Sequence, residues 1–135
     1  MSASTLSTKP AIGTIWRNGI TAAIVAAVIN AILYYAGLAT GNWDLGVITP
    51  MGTSINIVPV VVMSIATIVA GTLGYTIVSR FVSNPNLWFI VATAIVFLLM
   101  LAGPFQLGAP VGMVVLLQLM HVVAAGSAIY FLTRS

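Results

Sequence analysis

Residues 111–133, VGMVVLLQLMHVVAAGSAIYFLT, decide the fold. Only Gln118, His121, Ser127 and Thr133 break the apolar character of this run. A helix needs roughly 17–25 predominantly apolar residues to cross the hydrocarbon core of a bilayer. A barrel strand is shorter and alternates in polarity. The stretch therefore reads as a transmembrane helix. It carries the only histidine of the 135-residue chain close to its middle.

Three further runs have the same character: residues 17–38, 57–78 and 87–103. Pro10, Pro50, Pro85, Pro104 and Pro110 fall outside the four runs, and Pro59 falls in the first turn of the second. There the missing N–H costs little. Hydrophobic residues make up 61% of the chain and charged residues 4%. Soluble domains carry about 25% charged residues, so the bilayer is the solvent that fits. The expected fold is all-α: one four-helix transmembrane bundle over residues 15–135. The Ser/Thr-rich start, within residues 1–14, is expected to be a disordered tail. The first run is too long for the 7–15-residue core of a signal peptide, and Gly37-Leu38-Ala39 is a poor cleavage site. It is expected to stay in the protein.

Lys9, Arg17, Arg80 and Arg134 fall on one side of a four-span topology, and Asp44 falls on the other. The positive-inside rule then makes both termini cytoplasmic. Trp16 and Trp88 fall at the cytoplasmic interface and Trp43 at the outer one, as an aromatic belt requires. The long outer link, GNWDLGVITPMGTSIN, has too few charges for a plain hydrophilic spacer. It is expected to lie on the membrane surface or to cover the mouth of the bundle.

In lipid, helices associate through small residues that let backbones approach. Gly19, Ala23, Ala27 and Ala31 form such a stripe on the first helix, and Ala66, Ala70 and Gly74 on the second. Both are expected to be contact faces of a tight bundle. Counted at 1.5 Å per residue, His121 lies within about 2 Å of the midplane and Asn30 about 3–4 Å to its outer side. Gln118 and His121 are three apart and share a helix face. An amide or imidazole facing lipid leaves a donor unpaired at a cost of several kcal/mol. Asn30, Gln118 and His121 are therefore expected to turn toward one another as a buried polar cluster.

Two readings of that cluster stand side by side. In one, a neutral imidazole fixes helix register. In the other, His121 relays protons, holds a ligand or senses pH, since an intramembrane ionisable residue points to function. Specific chemistries narrow quickly. One histidine cannot supply both axial ligands of a bis-histidine haem. Zinc and di-iron sites need three or more His or carboxylate ligands. No carboxylate pair is present for acid–base work, and Asp44 is far in depth from His121. No glycine loop followed by lysine suits a phosphate. There is no cysteine, and four scattered cations make no nucleic-acid patch. The chain is thus expected to be no enzyme, to need no cofactor or metal, and to bind no nucleic acid. The leading expectation is a non-catalytic membrane protein that associates with itself or with other membrane subunits, amid membrane lipids. The first alternative is a protein that binds a quinone or lipid, or handles protons, with His121, Gln118 and Asn30 lining the site. The second is a small channel or transporter, formed as an oligomer.

Trp16-Arg17-x-Gly19 opens an alanine-rich first helix, Asn30 follows late in it, and Met120-His121-Val122-Val123-Ala124-Ala125 lies in the fourth. Over residues 15–133 this pattern resembles a family of small bacterial four-helix membrane proteins, classed as a domain of unknown function. The resemblance implies the fold and a home in the bacterial inner membrane. It directs interest to Asn30 and His121, carries no activity, and says nothing of Ser64, Thr67 or Thr93.

Overall fold

The computed structural model describes residues 9–135. Its helices are α1 (Ile12–Ala39), α2 (Ile57–Phe81), α3 (Pro85–Met100), the single turn α4 (Ala102–Phe105) and α5 (Val111–Leu132). With α3 and α4 taken as one span, four helices are long and apolar enough to cross a membrane. Among the described residues there is no named strand, only an isolated bridge between Ile48 and Ser54 in the loop between α1 and α2.

The helix ends follow local chemistry. Asn56 caps α2 by accepting from the Val58 N–H at 2.9 Å, and Asn84 caps α3 by accepting from Leu87 N–H, with Pro85 in the first turn. Such side chains satisfy amides that have no partner inside the helix. α1 begins at Ile12 rather than at residue 17, so residues 12–14 belong to the helix and not to a tail. Residues 1–8, the rest of that expected tail, lie outside the described residues. The exposed Arg17 gives the helix no reason to break. At 28 residues, α1 is about 42 Å long and overreaches a hydrocarbon core of about 30 Å. Its first turns therefore belong to the interface, where a guanidinium is hydrated.

α1 is the central helix. It buries Ile15, Gly19, Ala22, Ala23, Ala26, Ala27 and Asn30 between α2 and α5. The expected first stripe is thus a contact face, with Ala31 half-buried at its end. The second stripe is not. Ala66 and Ala70 are exposed, and a Cβ built on Gly74 would meet nothing within 4 Å. α2 instead turns Val60, Ser64, Ile68, Thr72, Tyr75 and Ser79 inward. The reason is that its hydroxyls close on their own helix. Ser64 donates to Val60 O at 2.7 Å, Thr72 to Ile68 O at 2.8 Å and Ser79 to Thr76 O at 2.8 Å. A hydroxyl satisfied in this way behaves as a small residue that brings no unpaired donor to an interface.

α3 lies outside this three-helix core and buries only Phe89. Its foot is held by Asn86, which accepts from the Tyr75 hydroxyl of α2 at 2.5 Å and donates to Thr133 O after α5 at 3.0 Å. Phe89 packs edge-on against Tyr75, with ring centroids 5.1 Å apart. Asn18 ties α1 to the same end of α5 through Phe131 O and the Ser135 hydroxyl. Asn86→Ala is expected to cost about 1–3 kcal/mol, the penalty for a half-buried hydroxyl and carbonyl losing their partner. Hydrogen exchange should quicken along α3 and stay slow in α1. Unchanged exchange in α3 would show that its foot is anchored by something else.

The loop between α1 and α2 covers the bundle mouth, one of its two expected positions. Trp43 is buried, donates from Nε1 to Ile55 O at 2.8 Å and stacks edge-on with Tyr34 at 5.0 Å. Val47 and Ile55 join it over Val60, Met113, Leu117 and Met120. Asp44 is used locally, accepting from Gly46 N–H at 2.7 Å to close a turn.

A lateral groove between α2, α3 and α5

Between α2, α3 and α5 runs a groove of about 810 Å³. Ala66, Ala70 and Gly74 form its α2 wall, Ala92, Thr93 and Val96 its α3 wall, and His121, Ala124 and Ala125 its α5 wall. Thr49 and Ile55 of the loop lie at one end, and Val78 and Phe89 toward the other. The groove exists because small residues face one another where α3 stands off the core. A Cβ on Gly71 would lie 3.9 Å from the ring of Phe89, whereas one on Gly74, about a turn nearer the foot, would meet nothing within 4 Å. Gly74 sharpens the point. A glycine inside a helix costs about 1 kcal/mol relative to alanine, and neither a neighbour nor a positive φ requires one here.

Asn30 is 3% exposed and sits in the groove wall. Its Nδ2 donates to Ser64 Oγ at 2.8 Å and to Met120 O at 3.4 Å. Both neighbours can only accept, because the Ser64 proton is committed to Val60 O and Met120 offers a carbonyl. The amide orientation is therefore fixed, and Oδ1 remains buried with no partner. His121 also lines the groove, and its Nδ1 lies 2.6 Å from Leu117 O, one turn back on its own helix. Since a carbonyl cannot donate, Nδ1 carries a proton, and in the tautomer of the uncharged ring that this selects Nε2 is the acceptor. Nε2 has no partner among the described residues and is not among the buried orphans.

The expected three-member cluster does not close. None of Asn30, Gln118 and His121 hydrogen-bonds another. Asn30 and His121 do share the groove, and the Asn30 amide bonds the carbonyl of Met120, next to His121. Gln118 faces a separate, smaller pocket with Phe105, Ala109 and Val115. There it donates from Nε2 to Leu101 O at 2.7 Å, while its Oε1 is buried unpaired. Leu101 stands at the break between α3 and α4, as C-cap of the first and N-cap of the second, and its carbonyl takes the amide. Residues three apart lie about 60° apart around a helix axis, enough for neighbours to face different clefts. The partner missed in the sequence is Ser64. Its signal was the spacing Ser64–Ile68–Thr72, which marks a face as regular as the alanine stripe beside it.

No curated protein and no solved structure matches the chain. A family model described as "Family of unknown function (DUF6069)" matches residues 10–135. The match covers all four helices, the loop over the bundle mouth and every residue of the groove, and the chain belongs to the DUF6069 family.

Proposed function

We propose that this membrane protein binds a single-chain apolar molecule in its lateral groove and acts by holding it rather than by transforming it. The shape of the groove carries the reading. From Pro59 to Val78 it follows α2 for about 28 Å at 1.5 Å per residue. A volume of about 810 Å³ spread over that length makes a long cleft rather than a round cavity. That shape suits an extended hydrocarbon chain. Ligand pockets of about 300–1,000 Å³ are lined mostly by apolar groups with a few polar ones. The reading places the basic end, with Lys9, Arg80 and Arg134, in the cytoplasm of a bacterium and the chain in its inner membrane.

A second reading has one supporting observation. Ala66, Ala70 and Gly74 are open to the outside and offer a small-residue face to a helix of another subunit or of a second copy. A channel is less well supported, because the groove wall is almost wholly apolar. Native mass spectrometry of protein extracted gently from its own membranes separates these. A reproducible small-molecule adduct is expected, reduced at least tenfold by Ala70→Phe, which fills the groove from an exposed position. A discrete oligomer or added subunit that Ala70→Phe dissolves, with no adduct, would replace the ligand reading with the subunit reading.

A further inference from the structure

Resting on the groove as a ligand site, we infer that its occupant carries an uncharged polar group that donates a hydrogen bond: an alcohol or a phenol on a long apolar chain. The donors of the groove's middle are committed. The Asn30 amide serves Ser64 and Met120, the Ser64 hydroxyl serves Val60 O, the Thr67 hydroxyl serves Met63 O at 2.7 Å, and His121 Nδ1–H serves Leu117 O. What remains are acceptors, His121 Nε2 and Asn30 Oδ1. The exception is the Thr93 hydroxyl across the groove, which takes either role. Nε2 is accessible and Oδ1 is buried, so Nε2 is the acceptor a ligand meets first. They lie at one level of the bundle, since Asn30 bonds the residue that precedes His121.

Charge is selected against by the same wall. No Lys, Arg, Asp or Glu lines the groove. A carboxylate or phosphate at that depth would lie among apolar atoms with no counter-ion, which hydrocarbon penalises heavily. A ketone or ether offers only lone pairs and would leave both acceptors unpaired. The cost of burying an unpaired acceptor is what allows a site built for an O–H to reject its analogue.

The test uses the purified full chain in nanodiscs and two matched probe pairs. One is geranylgeraniol against its methyl ether; the other is a prenylated hydroquinone against the corresponding quinone. Each hydroxyl form is expected to bind at least tenfold more tightly than its partner. His121→Phe should abolish that preference, bringing the two members of each pair within about twofold of each other. Tighter binding of the hydroquinone pair or of the alcohol pair tells phenol from alcohol as the natural class. Equal affinity within both pairs, with all binding lost in Ala70→Phe, would overturn the donor inference and keep the groove as a site. Tighter binding of ether and quinone would also overturn it. Binding of all four probes unaffected by Ala70→Phe would remove the groove reading itself. The wild-type comparison stands even if a variant misfolds.

Discussion

Gly19→Ala is expected to lower the stability of the bundle by about 3 kcal/mol, at the upper end of the usual cost of overpacking. A Cβ at this position would lie 2.2 Å from Thr72 Oγ1 and 2.6 Å from its Cγ2. Thr72 cannot retreat. It is 1% exposed, its hydroxyl is fixed to Ile68 O, and β-branching stiffens its χ1. The load therefore falls on the spacing between α1 and α2. Thermal unfolding in mild detergent, followed by tryptophan fluorescence, reads the change. Thr72→Ala should recover part of it by removing the two nearest atoms; recovery is incomplete because the Thr72 Cβ would still lie at 2.9 Å. A coupling of at least 1 kcal/mol in the double-mutant cycle is the expected signature. A Gly19→Ala protein within 0.5 kcal/mol of the parent would mean that these helices do not approach so closely.

Trp43→Ala is expected to cost about 3–5 kcal/mol, as large aromatic truncations in a core do. The loss has two parts. Removing the indole opens a cavity beside Tyr34, Val47 and Met113, and it leaves Ile55 O without its donor. Trp43→Phe keeps most of the packing and loses the N–H, so it should cost about 1–3 kcal/mol. Hydrogen exchange over residues 40–56 should rise in both variants, while the base around Asn86 stays protected. If the loop exchanges no faster in Trp43→Ala, the cover over the mouth is held by other contacts.

How much of this was legible in the sequence differs from helix to helix. The four spans were legible because the bilayer sets their length and hydrophobicity, and the caps at Asn56 and Asn84 lie where the chain re-enters it. The contact face of α1 was legible because one stripe of glycine and alanine runs along it. α2 carries two small faces, Ala66–Ala70–Gly74 and Ser64–Thr72–Ser79, and nothing local ranks them. The choice is made by partners on α1, Gly19 for Thr72 and Asn30 for Ser64. That pairing is a tertiary fact. The same holds for the polar residues. Depth was readable by counting, so Asn30 and His121 were placed near one level. The direction of Gln118 depends on the break after Met100, where the Leu101 carbonyl takes the amide.

The central position of α1 imposes an order of events on biosynthesis. Asn30 finds Ser64 34 residues later in the chain, but its second partner, Met120 O, is 90 residues away. At translation rates of about 5–20 residues per second, the first bond is available within about 2–7 s and the second only after about 5–18 s. The α1–α2 hairpin can therefore leave the insertion machinery with its asparagine already bonded. The side of α1 that receives α5 must wait, facing lipid or a chaperone, until the last span is made. The groove, whose third wall is α5, comes into being only once α5 has been made, so a nascent chain that stops short of that span has no groove.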